Sequence, residues 1–271
     1  MKLSFWTLGM PAWSNAEFAQ RAADLGYEGI DIRCTNGGNV SSESSEAEVD
    51  DVLKTFAAKK VQIASLLGYQ KRGNGKDPVD WNEVEADLVT QARLAQRMGN
   101  LPFRITVGYA DPSTSREAYL ANLAEASKTA MREVPSVSFM VQNHAGSASA
   151  GQLGALVEKV ADPRFRLGFS PDHCYEENED PLEMAERYAP VIQQLHIADR
   201  KRTADGHYEA CWIGDGIEPH GQIVETLAKR GFDGWVSLKW ERGARSEMPM
   251  GDVLLPHYVT YMKSLGIRAL A

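Results

Sequence analysis

Short runs rich in β-branched and aromatic residues alternate eight times with longer stretches whose apolar residues recur at helical spacing. The runs fall at 3–8, 28–33, 61–67, 103–107, 137–142, 165–169, 191–197 and 235–239. The helical patterns follow near 14–25, 45–59, 82–98, 115–132, 150–160, 181–188, 221–229 and 253–265. Ser14 and Glu17 have capping-box spacing, Phe18, Ala22 and Leu25 form the apolar stripe of the first helix, and Gly26 ends it. Strand-then-helix alternation means parallel strands joined by crossover helices. A count of eight favours an α/β fold closed as a (β/α)8 TIM barrel over an open doubly wound sheet. Neither GxGxxG after the first run nor GxxxxGK[ST] occurs, which weakens the nucleotide-binding alternative. No linker or low-complexity tract divides the chain, so residues 1–271 are expected to form one domain.

Charge narrows the partners. Twenty-nine Lys and Arg against 37 Asp and Glu leave a net charge of −8, which repels phosphate backbones and anionic lipid. Neither nucleic acid nor a membrane is therefore an expected partner. The three cysteines are too far apart for a disulfide framework or a CxxC zinc pattern, and no apolar run reaches membrane-spanning length. With no signal-peptide core at the start, a cytoplasmic location is expected.

In a TIM barrel the chemistry sits at the C-terminal ends of the strands. Those ends carry Thr7, Asp31 with Arg33, Arg104, Gln142 with His144, Asp172 with His173, His196 with Asp199, and Lys239 with Glu241. Each histidine alone is more simply a structural hydrogen-bonding group. However, all six lie after residue 140, and His144, His173, His196 and His207 fall at strand ends or just beyond, so convergence on one mouth is expected. Arg33 and Arg104 suit a clamp on an anionic or polyhydroxylated substrate, or else ion pairs within the barrel. Trp6 and neighbouring aromatics suit an apolar floor under a sugar ring, or plain packing. Cys174 directly follows His173, which argues against a Cys-His nucleophile, and no GxSxG elbow is present.

The segments LSFWTLGMPAWS, GYEGIDIR, FRITVG, VQNHAG, GFSPDHC, QLHIADRKR and IGDGIEPHGQIVETLAKRGFDGWVSLKWE together resemble the xylose-isomerase-like TIM barrels, the sugar phosphate isomerase/epimerase or AP endonuclease family 2 group. The resemblance covers nearly the whole chain and implies the barrel fold. It also implies a divalent metal held by Glu, Asp, His and Glu at the ends of four successive strands. Those positions are occupied here by Gln142, Ser170, His196 and Lys239. Only His196 is an ordinary ligand, and an ammonium has no lone pair to donate. No metal cofactor is therefore expected, although Asp172, His196 and Glu241 remain as possible substitute ligands for a divalent metal.

The function expected from these residues is that of a sugar isomerase or epimerase acting by proton transfer alpha to a carbonyl, on a small-molecule carbohydrate. His173 or His144 would be the base, with Asp172 as second acid or orienter. Lys239 and His196 would form the electrophilic side, with Asp172 or Glu241 neutralising the Lys239 ammonium. Trp6, Arg33, Arg104, Gln142 and Glu241 would bind substrate. The alternatives are a lyase or dehydratase of the same fold, Schiff-base chemistry at Lys239, and a non-catalytic sugar- or partner-binding barrel. The multi-zinc DNA-repair branch is disfavoured because no His precedes His144. A homo-oligomer is possible, and the glycine-containing loops at 68–80 and 199–218 could be lids.

Overall fold

A computed structural model describes residues 1–241 and 250–267. Its helices start where the sequence punctuates them. Ser14 and Glu17 form a capping box at α1 (Asn15–Leu25), and Gly26 closes it in the left-handed conformation. A second capping box, Ser45 with Glu48, starts α2 (Glu46–Ala58). Asp80 caps α3 (Trp81–Arg97), Ser115 caps α4 (Arg116–Glu133), Ser149 caps α5 (Ala150–Val160) and Asp180 caps α6 (Pro181–Tyr188). The last two helices are α7 (His220–Lys229) and α8 (Gly251–Ser264).

The barrel strands are β1 (Lys2–Phe5), β2 (Gly29–Cys34), β3 (Gln62–Gly68), β4 (Phe103–Thr106), β5 (Phe139–Gln142), β6 (Phe165–Phe169), β7 (Ile192–Ile197) and β10 (Trp235–Leu238). All pairings in this eight-stranded sheet are parallel, in the order β1-β10-β7-β6-β5-β4-β3-β2. A parallel bridge between Trp6 and Asp31 brings the two ends together into a nearly closed barrel. The expectation of a (β/α)8 fold is met.

One stretch differs from its expectation. The segment 199–218 contains a small antiparallel hairpin, β8 (Arg200–Arg202) with β9 (Tyr208–Ala210), as well as loop. Its anchor is Asp199, whose buried carboxylate accepts the backbone N–H groups of Arg200, Gly214, Gly216 and Glu218 at 2.8–3.3 Å. A Cβ on Gly216 would lie 1.9 Å from Asp199 Oδ1, so only glycine lets the loop wrap this closely. Among the described residues, no helix is long and apolar enough to cross a membrane.

Candidate functional site

Alternate residues of a strand face the barrel interior, so inward side chains stack in layers two residues apart. The lower layer is polar. Asp31 Oδ1 accepts from Ser65 Oγ at 2.5 Å and Gln194 Nε2 at 2.7 Å, while Oδ2 accepts from Ser4 Oγ at 2.7 Å and from Ser237 Oγ. Burial raises the Asp31 pKa, and these four donors oppose the rise. One step up the same strands stand Trp6 after Ser4, His196 after Gln194 and Lys239 after Ser237. Arg104, Gln142 and Ser170 complete this upper layer, all buried.

Four upper-layer residues form a directional chain. Arg104 Nη1 donates to Gln142 Oε1 at 2.7 Å, and Gln142 Nε2 donates to Ser170 Oγ at 2.8 Å. Ser170 Oγ lies 3.3 Å from His196 Nδ1, which can accept its hydrogen. Burial, reinforced by the charges of Arg104 and Lys239, keeps the His196 pKa well below its usual value. Gly168 leaves room for this, because a Cβ there would lie 3.0 Å from the His196 ring and 2.9 Å from Met140. Arg104 is further fixed by Gly68 O at 3.1 Å and by the Trp6 and Tyr69 rings, 4.8 and 4.9 Å away.

Beside the chain lies an ion cluster. After β6 the backbone enters a short 3-10 turn, Pro171–His173, which swings Asp172 and His173 back over the barrel. Lys239 Nζ lies 2.8 and 2.7 Å from the Asp172 oxygens and 2.8 Å from His173 Nε2. Arg200 Nε reaches Asp172 Oδ2 at 3.2 Å, Arg200 Nη2 lies 3.2 Å from His173 Nδ1, and Arg200 Nη1 pairs with Glu176. Burial opposes ionisation of Asp172, but the Lys239 and Arg200 charges against it outweigh that and hold the carboxyl well below the usual carboxylate range. His173 is pushed the other way: burial keeps it neutral against the pull of Asp172, and Lys239 adds to that effect. Its ring sits between two donor-only cations, and a neutral imidazole has a single lone pair to offer them.

The mouth of the barrel holds a cavity of about 100 Å³, lined by Tyr69, Arg72, Arg104, Thr106, Val107, Tyr109, Gln142, His144 and Glu241. His144 Nδ1 lies 3.0 Å from Ala145 O, so Nδ1 carries the hydrogen and the lone pair is on Nε2. Burial lowers the His144 pKa, against the Ala145 hydrogen bond and with the Lys239 charge. The His144 ring packs on His173, with centroids 4.2 Å apart.

The expected site residues thus divide into three groups. His144, Arg104, Gln142 and Glu241 line the cavity, while Trp6 lies beneath Arg104. Lys239, Asp172, His173 and His196 lie behind it, and Lys239 spends its hydrogens on Asp172 and His173. Asp172, and not Glu241, is the carboxylate paired with Lys239. Arg33 stands apart from both groups: its guanidinium turns to Gly37 O at 2.5 Å and lines a different cavity, with Trp13 and Asn39. His207 lies exposed on the β8–β9 hairpin, 4.0 Å from Asp205, and does not line this cavity.

Two functional candidates escaped sequence reasoning. Arg72 comes from the loop after β3 and bonds Thr106 Oγ1 across to β4. Glu218 is buried with neither carboxylate oxygen partnered, and burial pushes it up to about 9. The Gly-rich stretch before Glu218 was a signal for a tight loop, but nothing local marked its carboxyl as buried.

The sequence matches a family model described as xylose isomerase-like TIM barrel over residues 19–253. No curated protein matches it. Among solved structures, one similar fold is the probable 3-DHS dehydratase AsbF from Bacillus anthracis. It is 18% identical with a TM-score of 0.73, over 99% of this chain and 100% of that one. Another is the IOLI protein with a binding zinc atom, 16% identical with a TM-score of 0.77, over 98% of each chain. A third is D-psicose 3-epimerase from Clostridium cellulolyticum H10 with D-tagatose, 13% identical with a TM-score of 0.71, over 97% of each. A xylose isomerase-like TIM barrel protein from Mycobacterium smegmatis is described in complex with magnesium.

A divalent ion does not suit the donor set at the equivalent positions. The Gln142 oxygen already accepts a guanidinium hydrogen, the Ser170 oxygen accepts an amide hydrogen, and Lys239 brings an ammonium. The available lone pairs point at internal hydrogens, and the added charge is positive.

Proposed function

The chain belongs to the xylose isomerase-like TIM barrel family, and on that premise we propose that it is a carbohydrate-active isomerase or epimerase that works without a divalent metal. Its substrate is a small sugar or keto-sugar derivative, and its chemistry is proton transfer at the carbon alpha to a carbonyl. The observation that carries this reading is that a free imidazole nitrogen, a carboxylate and a buried guanidinium, from His144, Glu241 and Arg104, share one small cavity.

His144 Nε2 takes the alpha proton, and the C–H electron pair moves into a carbon–carbon double bond while the carbonyl oxygen gains negative charge. Arg104, fixed in place before the reaction, stabilises that charge without reorganising. Returning the proton to the former carbonyl carbon, as the hydroxyl proton on the alpha carbon passes to the former carbonyl oxygen, gives isomerisation. Epimerisation follows when Glu241 takes up a proton from solvent and delivers it to the opposite face of the same carbon, while His144 releases its own proton to solvent. A general base near neutral pKa is what such a step requires.

Lys239 serves as a positioning residue in this scheme. Its charge stands where the relatives' pattern has a metal-binding carboxylate, holds Asp172 and His173 in place, and keeps the stacked histidines neutral. A nitrogen engaged by a bidentate carboxylate contact is poorly placed for Schiff-base attack. The likeness to AsbF favours a second reading, in which His144 removes the same proton and a β-hydroxyl departs as water. A cytoplasmic location agrees with the three unpaired cysteines.

The test is incubation with neutral sugars, keto-sugars, sugar acids and sugar phosphates in D2O, with chelator present, followed by NMR. Deuterium entering at a carbon alpha to the carbonyl is expected. Ligand binding with no exchange for any compound would favour the non-catalytic barrel.

A further inference from the structure

We infer that the substrate carries a monoanionic carboxylate, and that Arg72 forms the subsite that receives it, with the Arg104 guanidinium that faces the carbonyl oxygen adding to the positive charge there. The inference rests on the proposed carbohydrate function and narrows its substrate class.

Arg104 is only 3% exposed, yet among the described residues it has no carboxylate partner. Its two terminal nitrogens rest on neutral oxygens, and its buried Nε has no hydrogen-bond partner. A guanidinium taken out of water without a counter-charge is costly. Three other partly buried arginines do have acids beside them: Arg200 meets Asp172 and Glu176, Arg164 meets Asp162, and Arg97 meets Glu46. The chain carries eight excess negative charges overall, so missing counter-charge at this point is not a shortage of acids.

Arg72 makes the vacancy directional. It lies over the Tyr69 ring at 6.0 Å and is tied to Thr106 Oγ1, while Arg104 lies over the same ring at 4.9 Å. Tyr69 therefore brings two guanidiniums to one cavity, and neither has an anionic partner among the described residues. Among the described residues, Glu241 is the one carboxylate lining that cavity. Two positive charges and one negative among the described residues give the lining a net charge of +1, which balances a carboxylate better than a phosphate dianion. The volume of about 100 Å³ also suits a small planar group, and a guanidinium fork matches the geometry of a carboxylate.

The test is calorimetric titration of the purified full chain with gluconate and glucuronate, against glucose, fructose and fructose 6-phosphate. At least one sugar acid should bind tenfold or more tightly than the neutral sugars, a difference of about 1.4 kcal/mol. Arg72→Gln should weaken that acid by roughly ten- to a hundredfold, as expected for a charge-assisted hydrogen bond, and scarcely alter any neutral sugar. Arg72→Lys should recover part of the loss, and Arg93→Gln, an exposed arginine on α3, should cost nothing. If neutral sugars bind as tightly as the acids, or if Arg72→Gln weakens both equally, the carboxylate subsite is wrong although the carbohydrate function stands. Tighter binding of fructose 6-phosphate would likewise overturn the carboxylate assignment. Binding by no member of the panel would overturn the carbohydrate reading itself, and this inference with it.

Discussion

The Lys239 ammonium bridges both oxygens of the Asp172 carboxylate, at 2.8 and 2.7 Å, in a part of the barrel where both side chains are essentially closed to solvent. A pair buried this way holds its neighbours as much as each other, and the consequences of breaking it differ from those of replacing it.

Asp172→Asn removes the charge that neutralises Lys239 and contacts Arg200, leaving a buried cation uncompensated. It is expected to cost about 3–5 kcal/mol of stability at pH 7. The pH dependence has a fixed sign. Asp172 is held below its unfolded pKa, so its contribution is complete above the ordinary carboxylate range and fades as pH falls through and below it. Urea denaturation between pH 2 and 7 should show a flatter acid limb for Asp172→Asn than for the wild type. Parallel curves would contradict this.

Glu218 behaves oppositely. Burial raises its pKa to about 9, so the native state binds a proton that the unfolded chain releases near pH 4. Its contribution to stability therefore declines as pH rises between those values. Glu218→Gln resembles the neutral carboxyl and should stabilise the protein by roughly 1–3 kcal/mol at pH 8, because the native state no longer has to hold a proton that the unfolded chain has released. Near pH 4 it should change little. Equal effects at both pH values in thermal denaturation would rule this account out.

His144 is assigned the proton transfer. His144→Gln should lower kcat by about 10²–10⁴, the usual contribution of a general base, with a smaller change in KM. The wild-type kcat/KM should fall on the acid side as His144 protonates, below its ordinary pKa because burial lowers it. An undiminished kcat in His144→Gln would move the base elsewhere.

If the Gln142, Ser170 and Lys239 side chains are what makes the site unsuited to a divalent ion, restoring acids should reverse this. The triple variant Gln142→Glu, Ser170→Asp, Lys239→Glu is expected to bind one Mn²⁺ per chain by calorimetry, and the wild type to bind none there. Stoichiometric Mn²⁺ on the wild type, lost in His196→Ala, would contradict the metal-free reading.

Much of the barrel was legible because periodicity and caps are local signals. The Ser14–Glu17 box, the Gly26 stop and the eight alternations all appear in the structure where the sequence places them. The family resemblance pointed to Gln142, Ser170, His196 and Lys239 as neighbours at the strand ends. What local patterns did not reveal were reach and return. Asp172 meets Lys239 because a 3-10 turn folds back after β6. Arg72 enters the cavity from a loop by crossing to Thr106. Arg33 has the right parity but is captured by Gly37 O in the next loop. Glu218 is enclosed because Asp199 gathers the amides of the loop that carries it.

The central claim is that the Lys239 charge, set behind the cavity, holds Asp172 and His173 in place and keeps the His144–His173 pair neutral. The pH profile of kcat/KM in chelator, for wild type, Lys239→Met and Lys239→Arg, tests it most directly. The wild type should remain active. Lys239→Met should lower kcat, because Asp172 and His173 lose their anchor, and its acid limb should move to higher pH, because a charge that lowers the His144 pKa is gone. Lys239→Arg should restore the limb and part of the rate. Wild-type activity abolished by chelator and recovered with Mn²⁺ or Zn²⁺, or an acid limb unmoved in Lys239→Met, would contradict the account.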